Sequence, residues 1–250
     1  MIVKSTNIEP LDLLIKKEGI KENIRDYYSA INNRLKILYS KEDFYIAEDE
    51  TYQPWLSVMG NIPKDIEGKK LRDMLEPLVK NEKYIAVYTN NEKISKFFQE
   101  FDILTYHEDF FIACIKKIPY TDEKNIRLAS ESDLPYIEKT YKRSGHKQLL
   151  NRILQKQMWI MEENNHIQGY AGIHKDYSLG FEYVDPDSRR KGIAGKLQFF
   201  ISNYMIKNNI TPYVMVSVKN DIAKNFQIKS GSEFADKIFY FYAKGPYELE

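Results

Sequence analysis

Tyr183-Val184-Asp185-Pro186-Asp187-Ser188-Arg189-Arg190-Lys191-Gly192-Ile193-Ala194-Gly195-Lys196-Leu197 ends an apolar run that begins at Leu179. Beyond it a helical pattern opens with Leu197, Phe200, Ile201, Tyr204 and Met205. Strand, basic glycine-bearing loop and helix start, in that order, make a holder for a pyrophosphate. The loop N–H groups point inward, and the helix dipole adds roughly half a positive charge at its N-terminus. Glycine is needed where a side chain would block the phosphate or where the turn demands positive φ. Two other phosphate loops do not fit. A P-loop places Ser or Thr after its Lys, whereas Leu197 follows Lys196. The dinucleotide fingerprint needs three glycines at fixed offsets and a carboxylate about twenty residues later.

The rest of the composition narrows the class. Hydrophobic residues make up 43% and charged residues 29% of the 250, which suits a globular protein of one large or two small domains. The 37 basic and 36 acidic side chains leave a net charge of +1, so neither nucleic acid nor a membrane surface is expected as a partner. A single Cys114, within an apolar run, excludes an intramolecular disulfide and offers no metal cluster. No apolar run approaches the roughly 18 residues of a membrane span, and no signal peptide is recognised, so a cytoplasmic location is expected.

Taken in order, residues 1–50 read as mainly helical. A strand at 54–59, a helix at 67–79, a strand at 84–88, a short helix at 92–101 and a strand pair within 103–118 follow. Polar Pro119-Tyr120-Thr121-Asp122-Glu123-Lys124 marks a domain boundary. Beyond it, a strand at 126–128 leads to a helix capped by Ser130 or Ser132 and a second helix at 149–154. Strands at 159–161 and 167–173 turn at Asn164-Asn165, and Leu179–Val184 is the strand before the loop. After the loop's helix come a strand at 213–218, a helix at 221–229 and a strand at 238–243.

Arg189-x-x-Gly192-x-Ala194, with Pro186 three residues earlier, resembles the (Gln/Arg)-x-x-Gly-x-(Gly/Ala) signature of the GNAT superfamily of N-acetyltransferases. The element order from residue 126, β-α-α-β-β-β-α-β-α-β, is also that family's order. Asn220-x-x-Ala223-x-x-Phe226 with Gly231 resembles the family's Asn-x-x-Ala-x-x-(Leu/Phe)-Tyr…Gly-Phe, and Thr211-Pro212 before it resembles the glycine N-acyltransferase-like branch. The resemblance covers about residues 125–244. It implies an α/β fold with a mixed sheet, the GNAT acyl-CoA N-acyltransferase fold.

The N-terminal half repeats the pattern loosely. Trp55 to Val58, Pro63, Gly68, Lys70, Leu71 and Tyr84 to Tyr88 run parallel to the later strand, loop and strand, and Asn91-x-x-Ile94-x-x-Phe97 echoes Asn220-x-x-Ala223-x-x-Phe226. Two tandem halves are therefore expected: a degenerate domain over 1–120 and a catalytic domain over 125–250. The first copy keeps one glycine, and Asp65 and Glu67 interrupt its basic residues, so it is expected to bind no nucleotide and to shape the acceptor side.

The resemblance implies acetyl-CoA (or another acyl-CoA) as co-substrate, with no metal, and direct attack by an amine on the thioester. Tyr183 and Val184 would hold the pantetheine through their backbone. Arg189, Arg190, Lys191, Gly192, Ile193, Ala194, Gly195 and Lys196 would hold the pyrophosphate. Asn220, Ala223 and Phe226 would line the arm and its thiol end. The Val184 N–H is the expected oxyanion donor. Glu182, which shares its face parity with Val184, is the expected base. His174 is a second candidate base, and Ser178 occupies the position where histone-acetylating relatives carry their carboxylate. Gln227 stands where the family often has an acidic Tyr, which leaves Tyr183, Tyr240, Tyr242 or water to protonate the leaving thiolate. The expected acceptor is a small-molecule amine or amino acid, and a homodimer is possible. A non-catalytic acyl-CoA-binding module and a protein N-acetyltransferase stand as alternatives.

Overall fold

The structure, a computed structural model, describes residues 9–52, 54–80, 84–101, 104, 106–116 and 124–242. Most of the expected boundary at 119–124 lies outside the described residues, as do 103, 118 and 243 at the ends of expected strands. The chain divides into two compact units. One comprises 1–112, 217–219 and 235–249, the other 113–216 and 220–234.

In the first unit, helices α1 (Glu9–Glu18) and α2 (Ile24–Ile31) precede strands β1 (Leu35–Lys41), β2 (Phe44–Asp49) and β3 (Trp55–Met59). Helix α3 (Lys69–Val79), strand β4 (Ala86–Thr89), helix α4 (Glu92–Phe98) and strand β5 (Tyr106–Ile115) follow, the last three residues of β5 belonging to the second unit. The helical reading of 1–50 is corrected by the β1–β2 hairpin, which turns at Glu42 with φ 54°. Every residue of β2 is buried, so no alternation marks it as a strand. The strand pair expected within 103–118 is one strand, β5, among the described residues. β3 runs parallel to β4. Leu56, Val58, Leu71, Leu75, Ile94, Phe98 and Phe241 form the core beneath α3 and α4.

The second unit contains β6 (Ile126–Leu128), α5 (Leu134–Thr140), α6 (His146–Leu154), β7 (Met158–Glu163), β8 (His166–Ile173) and β9 (Leu179–Val184). It continues with α7 (Ile193–Lys207), β10 (Tyr213–Ser217) and α8 (Asp221–Lys229). The last strand, β11 (Ser232–Tyr242), starts earlier than the expected 238, and from Phe239 to Tyr242 it pairs with β4 in the first unit's sheet. The second unit's sheet runs β10-β9-β8-β7-β6, parallel only between β10 and β9. Asn164 and Asn165 both take positive φ, as a two-residue hairpin requires. One face of the sheet packs Leu197, Ile201 and Met205 of α7; the other packs Leu134, Ile137, Leu149 and Ile153 of α5 and α6.

Ser130, not Ser132, starts the turn into α5, sharing a capping box with Asp133. The Asp133 carboxylate also receives Arg127 Nη1 at 2.8 Å and Nη2 at 2.9 Å, tying the edge strand to the helix. The Arg127 hydrogen bonds, against an opposing contribution from burial, hold this carboxyl down to about 2. Its stabilisation is therefore present above the ordinary 3.8 and is lost as pH falls through about 2. Asp133→Asn should cost about 1–2 kcal/mol at pH 7, after allowing for the exposure of Arg127. It should also flatten the acid limb of a stability-versus-pH curve measured by urea unfolding.

Candidate active site

The site forms where β9 leaves its parallel neighbour. β9 and β10 pair at a single position, Leu179 with Val214, and the edge of β9 beyond Leu179 has no registered partner on β10. On its other edge β9 follows β8, with Gly172 opposite Gly180 and Tyr170 opposite Tyr183. Two residues of β9, Phe181 and Glu182, thus oppose Ala171 alone. This is a β-bulge, and Phe181 takes φ 52° within it. The bulge reverses the alternation of the strand. Leu179 packs on the α7 face, Phe181 and Tyr183 on the α5–α6 face, and Val184 on the α7 face again. Glu182 alternates with Tyr183 and therefore shares the face of Val184, as its sequence parity predicts.

Asp185 N–H donates to Gln168 O at 2.9 Å, which makes 168 and 185 a bonded antiparallel pair. The neighbouring pair, Gly169 and Val184, is then non-bonded, and the Val184 N–H and C=O point away from β8 toward the unpaired edge. Arg189 Nε reaches that carbonyl at 3.2 Å. Glu182 is exposed to solvent on this edge, and no hydrogen bond or ion pair to it occurs among the described residues. Protein mass nevertheless surrounds the group, and desolvation raises its carboxyl from 4.5 to about 7.

The loop carries the expected backbone. Pro186–Ser188 form one 3-10 turn, capped by Asp185 Oδ1 on the Asp187 N–H at 3.1 Å. Arg190 (φ 61°) and Gly192 (φ 79°) are both left-handed. No side chain caps α7, and its first intrahelical bond runs from Lys196 N–H to Gly192 O. The N–H groups of Ile193, Ala194 and Gly195 precede that bond, so the N-terminus of a 15-residue helix is open to an anion. Arg189, Arg190 and Lys191 are exposed around it, and Ile193 anchors it by burying its side chain in the α7-side core.

Two polar side chains of helix α8 and its cap have partners within the fold. Asn220 Oδ1 accepts the Ala223 N–H at 3.0 Å and caps the helix, which leaves its amide nitrogen to face a ligand. Asn91 caps α4 in the same way, which gives the echo between the two Asn-x-x segments a local cause. Ala223 packs on the α7-side core, and Phe226 is half-buried. Gln227 is buried, donating Nε2 to Gln198 Oε1 at 2.6 Å and accepting from Ser232 Oγ at 2.7 Å. Its amide locks α8 to α7 and to the start of β11. Among the hydroxyls expected as acids, Tyr183 stacks on Tyr170 at 5.3 Å. Tyr240 and Tyr242 belong to the first unit, where Arg25 donates to Tyr240 Oη at 2.7 Å. Ser178 Oγ donates to Asp176 Oδ1 at 2.7 Å and shapes the β8–β9 turn. The ring of His174 lies against Phe181, which packs on the face opposite that of Glu182.

In the first unit a cavity of about 290 Å³ opens past the ends of the parallel strands β3 and β4. Glu22, Gly60, Asn61, Asn90, Asn91 and Asp236 line it, two of them acidic and none basic.

Residues 117–239 match the family model described as an acetyltransferase (GNAT) domain. No curated protein matches the chain. Among solved structures, a Drosophila protein is similar at 13% identity, covering 96% of this chain and 98% of its own, with a TM-score of 0.69. A GNAT-family acetyltransferase from Colwellia psychrerythraea covers 98% and 100% at 11% identity, with a TM-score of 0.54. A GCN5-related N-acetyltransferase-like protein from Streptococcus suis covers 94% and 98% at 9% identity, with a TM-score of 0.56. At these identities the likeness is one of fold. No helix among the described residues is long and apolar enough to cross a membrane, and no group of metal-ligating side chains occurs among them.

Proposed function

We propose that the chain is an acyl-CoA-dependent N-acyltransferase that moves an acetyl group from acetyl-CoA to the primary amine of a small molecule or amino acid. The observation that carries this is the meeting of an uncapped helix N-terminus behind Gly192 with an open β9 edge bearing an unpaired Glu182. The pyrophosphate would take the N–H groups of Ile193, Ala194 and Gly195, with Arg189, Arg190, Lys191 and Lys196 around it. The pantetheine would lie along Tyr183 and Val184, beside Asn220, Ala223 and Phe226. Glu182 accepts a proton from the attacking amine, the new C–N bond forms, and the Val184 N–H donates to the oxyanion. The C–S bond then breaks, and water protonates the leaving thiolate.

In this reading the second unit is the catalytic domain of a tandem pair within the glycine N-acyltransferase-like branch, and the protein works in the cytoplasm. The first unit takes no nucleotide, because its acidic cavity would repel a pyrophosphate. Gln227 favours one other reading, an acyl-CoA-binding module without turnover, since its buried amide supplies no acid. Release of free coenzyme A thiol over a panel of small amines separates the two. Tight acetyl-CoA binding with no release from any amine would sink the enzyme reading.

Gly192→Val tests the loop under either reading. A β-branched residue at φ 79° should cost about 1–2 kcal/mol of stability, seen as a lower melting temperature. It should also weaken acetyl-CoA binding at least tenfold by calorimetry. Unchanged binding would mean that the cofactor sits elsewhere.

A further inference from the structure

We propose that His174 is a positioning residue: its ring, seated in the notch left by Gly180 and tilted against the Phe181 ring, holds the β9 bulge that presents Glu182 to the open edge. The inference rests on the acyltransfer reading and concerns a residue of the second unit outside the loop and the edge. His174 follows β8 directly, and its backbone is fixed on both sides. His174 N–H donates to Ser178 O at 2.8 Å, and Tyr177 N–H donates to His174 O at 3.0 Å. Asp176 braces the same turn by accepting from Ser178 N–H and Oγ, and the Tyr213 hydroxyl of β10 donates to the Asp176 carbonyl.

From this anchored base the imidazole reaches over the next strand. Its centroid lies 4.0 Å from that of the Phe181 ring, with the planes at 33°. A Cβ on Gly180 would sit 2.1 Å from His174 Nε2, so only glycine at 180 admits the ring. Across the strand pair, a Cβ on Gly172 would approach Phe181 Cδ2 at 3.3 Å, and Tyr141 meets Phe181 at 5.5 Å between centroids. Phe181 is thus held in place by two aromatic rings and two glycines. It needs holding, because a bulky residue with φ 52° is strained and returns to an extended backbone when released. An extended Phe181 would remove the bulge, restore simple alternation and turn Glu182 to the opposite face.

The charged groups that act on the imidazole are Asp176, on its own turn, and Arg152, from α6. Burial is the largest influence and keeps the ring below its ordinary value, so it stays neutral and serves as a flat plate. Neither a base nor a hydrogen-bond donor is required of it. Shape is the property that matters.

Three variants test this, each checked for folding by thermal melting and for acetyl-CoA affinity by calorimetry. His174→Ala should lower kcat at least tenfold with the KM for acetyl-CoA unchanged. It should also displace the acidic limb of the kcat–pH profile from about 7, because Glu182 leaves its place on the Val184 face. Gly180→Ala evicts the ring without removing it and should reproduce both changes, which keeps the test open if the alanine variant does not fold. His174→Phe restores a flat ring and should recover most of kcat and the limb near 7. The inference is overturned if Gly180→Ala leaves kcat and the limb in place, or if His174→Phe is as impaired as His174→Ala. Failure of the wild-type protein to bind acetyl-CoA would instead overturn the acyltransfer reading beneath it.

Discussion

Glu182→Gln should lower kcat by about 10²–10⁴-fold while leaving acetyl-CoA affinity within a few-fold, because glutamine keeps the shape and cannot accept the amine's proton. The size follows from the chemistry. An ammonium ion does not attack a thioester, so without a base the reaction depends on the small free-amine fraction at neutral pH. The wild-type profile carries the same information. Desolvation holds the Glu182 carboxyl at about 7, so kcat should fall about tenfold per pH unit below that point and level off above it. Glutamine should abolish this limb.

Stability runs in the opposite direction. A carboxyl raised in the folded state favours folding fully below its unfolded value of 4.5 and loses that contribution as pH rises through about 7. Above pH 7 the wild type therefore pays for an unpaired carboxylate that the glutamine variant lacks. Because solvent reaches Glu182 along the open edge, the gain should be on the order of 1 kcal/mol, well below what the full shift would give. A variant that melts higher at pH 8 yet turns over at least a hundredfold more slowly marks a group held for chemistry. Unchanged kcat would remove Glu182 from the mechanism.

Local signals in the sequence explain what was legible there. Pro186, Gly192 and the apolar spacing of α7 each act within one turn, and in the loop Gly192 takes the positive φ that is one of the two uses glycine has there. The face of Glu182 also follows from counting residues along β9. The bulge does not, because φ 52° at Phe181 is imposed by His174, Tyr141, Gly172 and Gly180, which are brought together only by the β8–β9 hairpin and α5. Gln227 shows a role that only the fold reveals. In sequence it reads as a missing acid, and in the fold its amide bridges Gln198 and Ser232. The β1–β2 hairpin escapes periodicity because β2 is buried on both faces.

Part of that burial is polar, and it gives the largest expected effect on stability. Asp49→Ala should cost the first unit about 3–5 kcal/mol, a large part of the roughly 5–15 kcal/mol of a typical domain. Arg25, 2% exposed, donates Nη2 to Asp49 at 3.0 Å and Nη1 to Tyr240 at 2.7 Å. Its guanidinium lies 4.4 Å from the Trp55 ring centre and 4.2 Å from that of Tyr88. Aromatic faces temper a cation but do not neutralise it. Removing Asp49 leaves a buried charge uncompensated and strands the donors of Ser29 and Thr51 as well. The neighbouring Asp26 should behave differently. Burial, and then the charge of Asp49, raise its carboxyl, whereas Arg25 and the hydrogen bonds from Ser29 and Thr51 outweigh burial at Asp49 and lower it. Of the two, Asp26 therefore takes a proton more readily and Asp49 holds its charge more firmly. Asp26→Asn keeps one oxygen for Tyr45 and Ser57, which share Oδ2, and sets its amide against the Tyr88 hydroxyl, which can still donate to Asp49; it should cost about 1–2 kcal/mol at pH 7. Asp49→Asn removes the anion Arg25 requires and should cost more than Asp26→Asn. Urea unfolding of the three variants checks the order, and equal costs for the two asparagine variants would refute the assignment of the charge to Asp49.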